Sequence, residues 1–128
     1  MAALKRHCST SSAARPLPQT FLASLEKLNL VVDSNPYNLE RHGRGESHHT
    51  SMAPQIIVSP RNRAEIKQTM RLCSEHTIPV IPFGAGTSLE GHVSAVAGGV
   101  SLSFTEHYNK ILSISELSMS AVVQAGVT

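Results

Sequence analysis

Two short β-branched runs, QIIVSP (residues 55–60) and PVIPF (79–83), bracket RNRAEIKQTMRLCSEH, and the first glycine of a cluster follows the second run directly. QIIVSP, closed by proline, reads as a buried strand, and PVIPF as another short apolar strand. Asn62 and Glu65 stand three apart, the spacing of a capping box. Ile66, Met70 and Cys73, supported by Leu72, then fall along one face of a helix. Strand, helix and strand make a βαβ unit, which predicts a right-handed crossover and a parallel pair. Open α/β sheets receive ligands beyond the carboxyl ends of their strands, where this glycine cluster lies.

The cluster is PFGAGTSLEGH, residues 82–92, with glycines at 84, 86 and 91. Glycine is entropically costly to order, so clustering implies sharp turns or close approach to something. Successive exposed N–H groups form an anion-binding concavity, and Thr87 and Ser88 add hydroxyl donors. The loop holds no lysine or arginine, so counter-charge would fall to amide dipoles and His92. A nucleotide P-loop is excluded, because His92 and Val93 stand where lysine and Ser/Thr are required. The dinucleotide fingerprint fails at Leu89, and no helix pattern opens at the loop. A diphosphate cradle of a third kind and a ligand-free structural turn both remain open on spacing alone.

Elsewhere, Phe21, Leu22, Leu25 and Leu28 predict a short amphipathic helix, with a brief strand in NLVVD. Residues 34–53 are polar, carry Pro36, Gly43 and Gly45, and read as a long irregular segment. Past Gly98-Gly99, VSLSF, KILSIS and SAVVQAGV read as consecutive strands, the last two joined tightly through ELS. The character thus changes near residue 95, and no closing element follows the last strand, so an incomplete core is expected. The first acid is Glu26, while Lys5, Arg6, Arg15 and many hydroxyl residues precede it. That composition fits a mitochondrial transit peptide over residues 1–20, the competing reading being an untargeted tail. A net charge of +2 gives no basis for nucleic-acid binding. No run reaches the roughly 18 apolar residues of a membrane span. Cys8 and Cys73 form no disulfide framework.

IPVIPFGAGTSLEGHVSAVAGGVSLSF, followed by NKIL and VVQAGVT, resembles the FAD-binding domain of the FAD-linked oxidases, the PCMH or vanillyl-alcohol oxidase type. APQIIVSPRNRAEIKQTMRLCSEHTIPV is similar to that family's first βαβ unit, and HGRGES (42–47) to a segment upstream of it. The resemblance is strongest to the branch of D-lactate dehydrogenase (cytochrome) and the glycolate oxidase flavoprotein. It implies an α+β fold: a partial PCMH-type domain over 54–128, with a βαβ parallel subdomain followed by strands of a second, truncated mixed sheet. A helix and irregular segment would occupy 21–53. The resemblance also implies that Gly84, Ala85, Gly86, Thr87 and Ser88 wrap the FAD diphosphate, that Gly91 and His92 complete the turn, and that Gly126 and Val127 lie near the cofactor on the later strand. Relatives with covalent flavin often carry histidine where Thr87 stands, so non-covalent FAD is expected. Relatives often carry aspartate where Gly45 stands, a departure here. The implied reaction oxidises D-lactate to pyruvate and passes electrons to cytochrome c. Its catalytic residues are expected beyond residue 128, so a non-catalytic fragment, or an oxidase of glycolate or 2-hydroxyglutarate, stays open.

Rival sites are weaker. His42, His48 and His49 lie near Glu40 and Glu46, but adjacent histidines on a loop suit zinc poorly, and no metal is expected. Glu90 and His92 could pair as acid and base, yet loop support suits them better. Ser88 lacks a triad partner in its motif. His76, closing the best helix, suits the helix dipole and needs no catalytic role.

Overall fold

A computed structural model describes residues 14–128; most of the expected targeting stretch lies outside them. The chain runs α1 (Gln19–Lys27), β1 (Val32–Asp33), α2 (Pro36–Gly43), β2 (Ile56–Val58), α3 (Arg63–Glu75), β3 (Val80–Phe83), β4 (Val100–Ser103), β5 (Ile111–Ser115) and β6 (Ser120–Val123). The first four strands form one sheet in the order β1-β2-β4-β3, and the last two form a separate antiparallel pair.

The βαβ unit forms, but its two strands are not neighbours. Both β2 and β3 run parallel to β4, which sits between them, with Ile57 and Ile81 each opposite Ser101. VSLSF therefore completes the first sheet instead of beginning the second. Two backbone bonds and one to a side chain seat it there. Val100 N donates to Pro79 O at 2.9 Å, Gln55 N donates to Gly99 O at 2.8 Å, and Gly99 N donates to the Gln55 side chain at 2.9 Å. Central β4 is buried along its whole length, whereas β3 lies at the edge. Pro82 in β3 explains the ordering, since proline cannot donate to a ladder and belongs on edge strands. The α+β class stands, with mixed pairing located in the first sheet, where β1 runs antiparallel to β2.

Side chains alternate across a strand. Ile56, Val58, Val100 and Leu102 join Phe21, Leu25, Leu30 and Cys73 in one core, so α1 and α3 cover that face. Phe21 is fully buried and meets His76 edge-on at 5.6 Å. Asn62 Oδ1 accepts from Glu65 N at 3.0 Å, capping α3. The return half of the box is displaced by one residue, because Glu65 takes the N–H of Arg61 at 2.8 Å and its Nε at 2.9 Å. Met70 is 46% exposed, contrary to the expected face, while Thr69 is buried in its place. Thr69 can be buried because its hydroxyl donates to Glu65 O at 2.9 Å.

The expected irregular segment contains a helix. α2 begins with Asn35 accepting from Tyr37 N at 3.0 Å and Pro36 in the first turn. Asparagine cap and first-turn proline are starting signals. They were masked by the lack of an apolar stripe, since α2 buries only Gly43 among its residues. α2 packs against β2. β5 and β6 are exposed throughout, as are Leu117 and Met119 in the turn that joins them, at 99% and 93%.

Candidate functional site

Just beyond the carboxyl ends of the three parallel strands, Ser59, Gly84 and Thr105 line one cavity of about 230 Å³. His42 and Arg41 from α2 and Asp33 from β1 face the same space. Ala85 also borders a second cavity of about 560 Å³, shared with Gly86, Arg41, Arg44 and Glu46. The loop thus occupies the crevice at the carboxyl edge, where open α/β sheets hold ligands.

Its geometry is set by the glycines. Gly86 adopts φ +75° and Gly91 φ +72°, values that L side chains rarely adopt. A Cβ on Gly86 would stand 3.0 Å from the Phe83 ring. Among the described residues, the backbone N–H groups of Ala85, Gly86, Thr87 and Ser88 find no protein acceptor. Ala85 and Thr87 are exposed and Gly86 and Ser88 half-buried, so the donors are open to solvent, and consecutive accessible N–H groups in a turn are suited to an anion. This donor set fits a diphosphate.

The far side of the loop is self-bracing. Ser88 Oγ accepts from Glu90 N at 3.3 Å and lies 3.1 Å from His92 Nδ1. Ser88 therefore has a histidine neighbour that the motif alone did not disclose. Among the described residues no carboxylate bonds His92, so the pair lacks the orienting acid of a hydrolase triad. Thr87 and His92 are exposed.

QAGVT reaches the loop, although Gly126 and Val127 do not lie on a strand: β6 ends at Val123, Gly126 sits in the turn that follows and Val127 just past it. A Cβ on Gly84 would sit 3.7 Å from Ala125 O. Gly126 N donates to Tyr108 O at 2.9 Å, and a Cβ there would overlap Phe104 O. Gly126 and Val127 border a further cavity of about 260 Å³ with Thr105.

HGRGES packs against the loop. A Cβ on Gly45 would lie 3.3 Å from Ser88 O and 3.6 Å from Gly86 O. Arg41 and Arg44, which sequence reasoning passed over because they lie outside the loop, are thereby brought to its edge. The only signal in the sequence was the resemblance of HGRGES itself. His42 stacks on Phe83 with centroids 4.1 Å apart and its Nδ1 meets Asn38 O at 2.9 Å. His48 and His49 stack separately at 4.3 Å. Among the described residues no group of three or more His, Cys, Asp or Glu could hold a metal ion. Asp33 accepts from Asn35 N at 2.7 Å and Asn38 Nδ2 at 2.6 Å. The Asn35 bond above all, then Asn38 and the nearby His42, holds its carboxyl below the ordinary value.

Residues 54–128 match the family model described as FAD binding domain. The chain is 34% identical over 122 residues to the mitochondrial D-lactate dehydrogenase [cytochrome] of Kluyveromyces lactis, covering 85% of this chain and 21% of that protein. It is 40% identical over 108 residues to glycolate oxidase subunit GlcD of Bacillus subtilis, covering 79% of this chain and 23% of the relative. An alkyldihydroxyacetonephosphate synthase structure superposes with a TM-score of 0.75 at 22% identity, over 90% of this chain and 23% of that one. The chain therefore spans less than a quarter of the length of these relatives. The matched residues are those that build the parallel sheet and its glycine loop, and on that ground the chain belongs to the FAD binding domain family of the FAD-linked oxidases.

Proposed function

We propose that this chain supplies the diphosphate-holding part of a flavoprotein that oxidises a D-2-hydroxy acid. The observation that carries the reading is the run of unclaimed N–H groups from Ala85 to Ser88 at the carboxyl edge of the parallel sheet. Gly84 to Ser88 would wrap the diphosphate, Gly91 and His92 would brace the turn, and Gly126 and Val127 would approach from the later segment. Bound FAD supplies a two-electron acceptor that can release electrons singly. The chain's own contribution is to bind and orient it. No proton-abstracting group for a hydroxy acid is assigned among the described residues. Thr87 cannot form a histidyl link, which supports non-covalent FAD.

For the whole protein we favour D-lactate oxidised to pyruvate, two electrons passing to cytochrome c, in mitochondria. Support comes from the name of the Kluyveromyces relative. The glycolate oxidase relative supports a neighbouring substrate of the same class. The 128-residue chain is titrated with FAD, followed by flavin fluorescence, gel filtration and acid precipitation. Saturable binding and release of the flavin into the acid supernatant are expected, with no dye reduction by D-lactate or glycolate. Failure to bind FAD refutes the cradle. Flavin in the acid pellet refutes non-covalent attachment. Turnover by the chain alone refutes the division of labour.

A further inference from the structure

The loop lacks a cation of its own, yet a diphosphate carries charge that amide dipoles balance only in part. Arg41 lies in the last turn of α2 and Arg44 follows its end, so two arginines stand within one short stretch. Both line the cavity of about 560 Å³ that contains Ala85 and Gly86. Gly45, next to Arg44, lies beside the loop, since a Cβ there would sit 3.3 Å from Ser88 O and 3.6 Å from Gly86 O, so the juxtaposition does not depend on side-chain reach alone. Among the described residues, arginine ion pairs and side-chain hydrogen bonds belong to Arg61 and Arg71. Glu46 borders the same cavity but pairs with neither Arg41 nor Arg44.

We infer that Arg41 and Arg44 are the counter-charge of the cradle and bind the cofactor's diphosphate from outside the glycine motif. This rests on the FAD reading above. Guanidinium groups suit phosphate oxygens because their planar fork offers paired donors, and such charge-assisted bonds are stronger than neutral ones. Two cations against one carboxylate leave the cavity positive. Arg41 also suits the negative end of α2. That structural role would affect the fold and not discriminate between ligands, which separates the two accounts.

The test compares the 128-residue chain with Arg41→Gln, Arg44→Gln and the double variant, and uses Arg63→Gln on α3 as a charge control. FAD, inorganic pyrophosphate and riboflavin are the probes, measured by fluorescence and calorimetry at low and high salt. Each cavity variant is expected to weaken FAD and pyrophosphate by about 10-fold. The double variant should also flatten the salt dependence, since fewer charges remain to be screened. Riboflavin, which lacks the diphosphate, should bind as before, and Arg63→Gln should change nothing. If a glutamine variant fails to fold, Arg41→Lys and Arg44→Lys decide: they keep the charge but lose the planar fork, so FAD and pyrophosphate should weaken by about 3-fold with riboflavin unchanged, and undiminished FAD affinity in both counts against the inference. Unchanged FAD affinity in the double variant, or equal loss of riboflavin, overturns the inference while leaving the cradle intact. Absence of both FAD and pyrophosphate binding by the unaltered chain overturns both.

Discussion

Gly84 and Gly126 look equivalent in the sequence, yet the structure assigns them opposite sensitivities. A Cβ on Gly126 would overlap the carbonyl oxygen of Phe104 and stand 2.9 Å from Tyr108 O, both backbone atoms that cannot swing aside. Overpacking of this kind costs about 1–3 kcal/mol. The shift also strains the Gly126 N–H bond to Tyr108 O, another roughly 1 kcal/mol. Gly126→Ala should therefore lose about 2–4 kcal/mol. With an m-value near 2 kcal/mol/M for a small domain, the urea midpoint falls by about 1–2 M. A Cβ on Gly84 meets only Ala125 O, at an ordinary 3.7 Å, and Gly84 itself lines the cavity at the carboxyl edge of the sheet. Gly84→Ala should leave stability within about 1 kcal/mol, with a slight gain because alanine narrows the unfolded ensemble. Its FAD affinity should drop about 10-fold or more, since a methyl group would occupy the cradle. Urea unfolding by circular dichroism and FAD titration on the same preparations separate the effects. Equal destabilisation by the two substitutions, or an undiminished FAD affinity in Gly84→Ala, would show that the loop glycines serve the fold and not the ligand.

Two further outcomes follow from local chemistry. Cys73 is 1% exposed, and burial pushes its thiol up to about 11. At pH 8 its thiolate fraction is then about 0.1%, against about a quarter for an ordinary thiol. Alkylation of the Cys73 peptide, followed by mass spectrometry, should be at least ~100-fold slower in the folded chain than in urea; comparable rates would contradict its burial. Asp33, held below its ordinary value chiefly by the Asn35 N–H, stabilises the fold when ionised. That contribution is present above the unfolded value of about 3.9 and is lost as pH falls through the lower folded value. Asp33→Asn should cost no more than about 1 kcal/mol near neutrality, because water screens a partly exposed carboxylate. The gap in urea midpoint should close in acid, and one that widens there would reverse the assignment.

Periodicity and punctuation carried much of the architecture. β2, α3 and β3 were legible because β2 is buried throughout and closes at proline, α3 opens on an asparagine cap with an apolar face, and β3 is a short apolar run that stops at Gly84. α2 was not, since a helix that buries only Gly43 leaves no apolar stripe to detect. Its starting signals, Asn35 and Pro36, also occur in turns. Met70 was misplaced for a related reason: hydropathy ranks methionine above threonine, but a threonine whose hydroxyl bonds the preceding turn can take the buried position.

By itself the sequence determined a strand–helix–strand unit with a lysine-free glycine turn behind it, because those features rest on local propensity and short-range spacing. Tertiary structure alone decided the rest. It placed β4 between β2 and β3 through bonds at Pro79 and Gln55, contacts that depend on which strand edges remain unpaired. It also brought Arg41 and Arg44, about 40 residues before the loop, to the rim of its cavity. Charge that is absent from a motif can be supplied across space, and linear spacing does not reveal it.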